Sequence, residues 1–295
     1  MKTDEAGTVL TLGRGNNRLP VSTVSAVNGE PGYDAPVDIK AIRARFAFPG
    51  SGRIVTNNAA STQPPRDLLE LYRSLAPGYE NVHRGQSSAS QAMTALFESS
   101  YDTIAQFLGA PSRASIALYR NTTEAINAVM YSLLTEFRDG DNVVTTMMEH
   151  NSNYVPWYAM CREILPRLGR RVEYRLVGFD PLTGELDLGQ MASLIDARTK
   201  LVCCTGASNF VGTRSPLTMI RALADSSGYL QPSGERRSHL LVDGATSPGI
   251  VRGRAGPRRR LPGLFVSQDA GAVRGRRAVR KGTSAPGITA IPVWR

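Results

Sequence analysis

Four lysines, three cysteines and three histidines are all that 295 residues hold of these reactive side chains. Cys161 stands alone, and Cys203 and Cys204 are neighbours on a predicted strand, where successive side chains point to opposite faces. That pattern gives neither a disulfide framework nor a zinc spacing. No run of 18 or more apolar residues exists, so no transmembrane helix is expected. The N-terminus carries Asp4 and Glu5 and has no apolar h-region, which argues against a secretory signal. A reducing, cytoplasmic compartment follows from these absences together.

Charge of one sign is missing from most of the chain. The net charge is +10, and residues 251–295, with ten Arg, Lys281 and a single acid, Asp269, carry all of it. Residues 1–250 balance 24 basic against 24 acidic side chains. The basicity belongs to a tail and not to a folded nucleic-acid surface.

What is present is a globular composition, 41% hydrophobic, in a length that allows one large α/β domain. Residues 1–38 are rich in Gly, Asn, Pro and Ser without periodicity and are expected to form a mobile extension. Helices are predicted over Arg66–Leu75, Ala89–Leu108, Thr122–Leu134, Tyr154–Leu168, Leu188–Ile195 and Pro216–Ala224. Strands are predicted over Ser115–Tyr119, Asn142–Met147, Val172–Val177, Leu201–Thr205 and His239–Asp243. This alternation predicts a mainly parallel sheet flanked by helices, with ligands beyond the carboxyl ends of the strands.

Four motifs fall at those ends. Asn121-Thr122-Thr123-Glu124 opens a helix, where N–H groups and hydroxyls suit a phosphate or form an ordinary cap. The same stretch is a glycosylation sequon, a use not expected without a signal peptide. His150 follows a strand and can stack on an aromatic ring or move protons, or simply satisfy its loop; no second histidine lies nearby for a metal. Asn209, in Ser208-Asn209-Phe210-Val211-Gly212-Thr213, can donate to a ring oxygen or serve a turn. Asp243 ends an apolar strand and can pair with a protonated pyridine nitrogen or cap a helix. His83 and Arg84 stand in a polar loop, facing a substrate pocket, a partner subunit or solvent.

Taken together, these stretches resemble the class V aminotransferase family of pyridoxal-phosphate enzymes, which includes cysteine desulfurases and selenocysteine lyases. The resemblance runs from about Val37 to Gly249 and includes Asn58-Ala59-Ala60-Ser61-Thr62, Asn81-Val82-His83-Arg84-Gly85, Met148-Glu149-His150, Val155-Pro156-Trp157 and Val242-Asp243-Gly244-Ala245. It implies the large domain of the type I pyridoxal-phosphate transferase fold over residues 39–250, without the small C-terminal domain. It also implies pyridoxal 5'-phosphate as cofactor, an amino acid as substrate and a homodimer. Thr122 and Thr123 would then hold the phosphate, His150 would stack on the ring, and Asn209 and Asp243 would contact the ring oxygen and nitrogen. The desulfurase pattern is broken at Asn121, Asn151 and Thr246, where a glycine, a histidine and a glutamine are expected.

The family's Schiff-base lysine is missing. The spacing points to position 269, which is Asp269, and the chain's lysines are Lys2, Lys40, Lys200 and Lys281. Shifting the codons of Arg252 to Lys281 by one base permits a family-like continuation containing Phe-Ser-Phe-His-Lys. The lysine codon of that peptide overlaps Gln268 and Asp269. The tail 251–295 is therefore expected to be frame-shifted and unrelated to the family, and nucleic acid is not expected as its partner. As written, the chain is expected to bind the cofactor weakly and without catalytic competence. The alternative is a non-catalytic binding or regulatory module whose basic tail engages nucleic acid.

Overall fold

The structure is a computed structural model that describes residues 38–48, 54–56, 62–108, 110–246, 264–267 and 272–274. Residues 1–37 of the N-terminal extension, the stretch from Asn58 to Ser61, and positions 268, 269 and 281 lie outside the described residues.

The chain forms two compact units, Met1–Ala95 and Leu96–Arg295. In the first, the short helix α1 (Ile39–Ala44) is capped by Asp38, whose Oδ1 accepts the Ala41 N–H at 3.0 Å. Helix α2 (Arg66–Leu75) follows, and α3 (Ser88–Leu108) begins in this unit. His83 adopts the left-handed conformation at φ 62° and donates its N–H to Thr94 Oγ1 at 3.0 Å. That conformation is rare without glycine, though histidine tolerates it better than most residues.

The second unit is built on one sheet. Its strands are β1 (Ile116–Leu118), β2 (Asn142–Thr146), β3 (Glu173–Val177), β4 (Thr199–Thr205), β5 (His239–Asp243), β6 (Leu264–Ser267) and β7 (Ala272–Arg274). Their spatial order is β1-β7-β6-β5-β4-β2-β3. Strand β7 runs antiparallel to both neighbours, and the β3-β2-β4-β5-β6 pairs are parallel. The predicted parallel sheet is thus present, and it continues past residue 250 into β6 and β7, which the sequence reading did not foresee.

Side-chain alternation on the fully buried β4 explains how one strand serves two cores. Leu201 and Cys203 pack with α4 (Thr122–Leu133) and α5 (Asn151–Ala159), while Val202 and Cys204 face Met191 of α7 (Leu188–Leu194) and Ile220 of α8 (Leu217–Asp225). Helix α4 buries the predicted stripe of Ala125, Ile126, Val129, Met130 and Leu133. Each such larger side chain is worth about 1.5–3 kcal/mol.

The helix predicted over Tyr154–Leu168 starts earlier and is not uniform. It begins at Asn151, widens into a π turn at Met160–Ile164 and ends in α6 (Leu165–Arg167). Pro166 has no N–H to continue the regular ladder, and the Leu165 N–H reaches back five residues to the Met160 carbonyl.

Candidate functional site

Three parallel neighbours, β2, β4 and β5, bring His150, the 206–215 loop and Asp243 to one edge of the sheet. Thr205, the last residue of β4, stands in register with Asp243, and the Gly206 N–H donates to the Asp243 carbonyl at 2.7 Å. Asp243 is only 2% exposed, and its Oδ1 accepts the Ala245 N–H at 2.9 Å. Burial raises its pKa, while the Ala245 N–H and the nearby His150 pull it down. A buried carboxyl of this kind favours a cationic partner, which would restore its charge.

His150 is the N-cap of α5. Its Nδ1 accepts the Ser152 N–H at 3.2 Å and lies 2.8 Å from Ser152 Oγ. A backbone N–H can only donate, so Nδ1 must accept, and the neutral ring carries its proton on Nε2. The residue is exposed, and the Nδ1 edge of its ring is committed to its own helix.

Glu149, named in the sequence only as part of a motif, sits at the centre of this edge. Its Oε1 accepts from Thr146 Oγ1 at 2.6 Å and from the Thr205 N–H at 2.8 Å, and its Oε2 accepts from Asn153 Nδ2 at 2.6 Å. Burial of the carboxyl lifts its pKa to about 7 against the pull of these donors, and Asp243 adds to the rise. The neighbour of His150 in the sequence was its only signal, because the Thr205 donor lies far along the chain.

Asn209 is exposed in the turn after β4. That loop is held by Ser208, whose Oγ donates to the Met148 carbonyl at 2.9 Å and accepts the Phe210 N–H at 3.2 Å. Gly184, at φ +71°, backs the same loop: its carbonyl accepts from Thr213 Oγ1 at 2.6 Å.

At the start of α4, Asn121 Oδ1 accepts the Glu124 N–H at 2.8 Å, and Glu124 in turn accepts the Arg120 N–H at 2.8 Å. The expected cap is therefore real. It leaves Thr122, 5% exposed, with a buried Oγ1 that has no hydrogen-bond partner among the described residues. A buried hydroxyl without a partner beside the first N–H groups of a 12-residue helix fits an anionic group. Thr123 is exposed, and its carbonyl accepts from Asn127 Nδ2 at 2.8 Å.

His150, Glu149 and Asp243 are thus brought together, and Thr122 lies at the carboxyl end of β1 on the same side of the sheet. His83 and Arg84 belong to the first unit. Lys200 begins at the other end of β4, fully buried, with Nζ donating to the Glu136 carbonyl at 2.7 Å. It stands one strand length away from Asp243 and cannot serve that edge.

The sequence matches the family Aminotransferase class-V over residues 54–232, a span that holds every candidate residue except Asp243. It is 33% identical over 232 residues to a cysteine desulfurase of Haloferax volcanii, covering 72% of this chain and 51% of that protein. A probable cysteine desulfurase of Pseudomonas aeruginosa is 33% identical over 219 residues, covering 74% of this chain and 49% of that one. The chain spans about half the length of these curated relatives. Among solved structures, the apo cysteine desulfurase of Thermococcus onnurineus NA1 matches with a TM-score of 0.56 at 28% identity, covering 64% of this chain and 43% of that one. The Escherichia coli cysteine desulfurase CsdA matches in fold with a TM-score of 0.61 at 22% identity, covering 80% of this chain and 57% of that one. Its residues, its sheet and its relatives agree: the chain belongs to the class-V aminotransferase family.

Proposed function

We propose that this chain is the cofactor-binding part of a cysteine desulfurase-like, cytoplasmic, homodimeric protein, and that it holds pyridoxal phosphate without a covalent lysine. The supporting observation is that His150 and a buried Asp243 share one sheet edge with the Thr122 hydroxyl, which has no hydrogen-bond partner among the described residues. When bound, pyridoxal phosphate supplies a protonated pyridine ring that draws electrons from an amino-acid substrate. Asp243 would face that ring nitrogen, His150 would cover one face, and Asn209 would donate to the ring oxygen. Thr122, Thr123 and the α4 N-terminus would hold the phosphate. His83 and Arg84 would face the substrate or a partner subunit.

Turnover is not expected from the chain as written. Position 269 is Asp269, and Lys200 is buried at the opposite edge. The thiols offer no sulfur acceptor either: Cys161, Cys203 and Cys204 are all buried, and burial raises Cys161 to about 12 and the other two well above the usual range.

The test is an absorbance titration with pyridoxal phosphate, compared with phosphate-free pyridoxal and with Asp243→Asn, followed by borohydride and mass mapping. Weak saturable binding that needs both the phosphate and Asp243, with no modified lysine, is the expected result. A stable band fixed to Lys281 would overturn the lysine-free reading, and no binding would overturn the cofactor reading. We propose further that the reading frame moves by one base near Val251; a gene and transcript with no alternative frame would remove that proposal.

A further inference from the structure

We infer that Glu149 is a positioning residue: its carboxylate clamps the end of β2 to the end of β4 and to the first turn of α5, and so sets His150 against Asp243. The geometry has three anchors. Thr146 belongs to β2, Thr205 is the last residue of β4, opposite Asp243, and Asn153 lies three residues beyond His150 in α5. His150 is therefore held between two tied points, residues 149 and 153, and the tie runs through Thr205 to the strand pair that carries Asp243.

The donor and acceptor count shows that a carboxyl group, and not an amide, satisfies this arrangement. Trp157 Nε1, which can only donate, gives its hydrogen to Asn153 Oδ1 at 3.1 Å. That fixes the Asn153 amide, so Nδ2 must point at residue 149 as a donor. The Thr205 N–H is also donor-only and points at the other oxygen. A glutamine at 149 would set an NH2 against Asn153 Nδ2 in one orientation and against the Thr205 N–H in the other. Turning the Asn153 amide to relieve the first clash would create another at Trp157. Asn153 and Trp157 are fully buried, so no water relieves the mismatch. An aspartate is one methylene too short to span the same three donors. The hydroxyl of Thr146 is the one rotatable partner, and reversing it lets Oε1 hold a proton without breaking the clamp.

What His150 does rests on the proposed cofactor reading; how it is held does not. The experiment uses the full chain, with Glu149→Gln and the swapped pair Glu149→Gln/Asn153→Asp. In the swapped pair, the amide of residue 149 donates to the carboxylate of residue 153, which also accepts from Trp157, and every partner is satisfied again. The first readout is the ring-nitrogen NMR pattern of His150 without cofactor, assigned with His150→Gln. The second is pyridoxal phosphate affinity.

In the wild type, Nδ1 is expected bare and Nε2 protonated. Glu149→Gln should average the two nitrogens and weaken the cofactor about tenfold, the cost of one misplaced charged hydrogen bond. The swapped pair should restore the His150 pattern and bring affinity within about twofold, below the resolution of one such bond. An unchanged His150 pattern in Glu149→Gln, or a swapped pair that fails to restore it, overturns the inference. Should Glu149→Gln not fold, the swapped pair decides alone: it must fold with the wild-type pattern. Absent cofactor affinity in the wild type would remove the functional reading, while the nitrogen pattern still judges the clamp.

Discussion

The Thr205 N–H donates to Glu149 Oε1 at 2.8 Å, and on its other side Thr205 stands in register with Asp243. One backbone group thereby ties the loop before α5 to β4, the neighbour of the strand that ends in the buried acid. The charges gathered at the two ends of the sheet make several consequences measurable.

Two buried titrations should offset each other. Glu149 is raised from 4.5 to about 7, so between those values the folded chain holds a proton that the unfolded chain has lost. Acid therefore favours folding through this group. His239 is lowered from 6.5 to about 4, first by burial and then by Lys200 and the nearby arginines. Between those values the unfolded chain holds the extra proton, and acid disfavours folding. Each effect reaches up to about 3 kcal/mol over its window, and they cancel where the windows overlap. Denaturant unfolding of His239→Gln should show stability rising from pH 7 to pH 5 relative to wild type, and Glu149→Gln should show it falling.

Thr122→Val should have opposite signs in two assays. Its hydroxyl is buried without a partner among the described residues, so a methyl in its place should leave the ligand-free chain unchanged or more stable by up to about 1 kcal/mol, read from thermal unfolding. The same change should weaken pyridoxal phosphate about tenfold, since a donor to the phosphate is lost. A variant that loses stability and keeps affinity would exclude the phosphate role.

Gly184→Ala should disturb the site loop from behind. At φ +71° a side chain is strained, and a Cβ would collide with Val211 Cγ1 and meet Thr213 Cγ2 at 2.9 Å. A loss of about 1–3 kcal/mol is expected in denaturant unfolding. Amide exchange in residues 208–213, which include Asn209, should quicken.

Lys200→Met should cost stability and leave binding alone. Nζ donates to the Glu136 carbonyl at 2.7 Å and reaches Tyr229 Oη at 3.4 Å, and burial lowers its pKa. Removing it strips the half-buried Glu136 carbonyl of its donor and leaves the buried Tyr229 hydroxyl without this neighbour, about 1–3 kcal/mol by thermal unfolding. Cofactor affinity should stay within about twofold, since no site contact changes.

Much of the fold was legible. The limits of α2 and β5 were read to the residue, because apolar periodicity and a final acid mark them. The π turn was not, because Pro166 acts on a carbonyl pattern that side-chain periodicity does not encode. Strands β6 and β7 were missed as well: each is four residues or fewer in an Arg- and Gly-rich stretch, and β5 and β1 supply their register. At the site, the residue types of Thr122, His150, Asn209 and Asp243 suggested their chemistry. Glu149 stayed hidden because its meaning comes from a backbone N–H 56 residues away.

Among the described residues, strand β1 has a single neighbour, β7, whose residues come more than 150 positions later in the chain. On a ribosome, then, Ile116–Leu118 emerges long before β7 exists for it to pair with. The β2-β3-β4-β5 block can assemble as it is made, while the β1 margin waits with open amides for the last strand to arrive. Such late closure over a long loop slows folding and leaves an edge exposed to other chains, so chaperone demand during synthesis should concentrate on this margin.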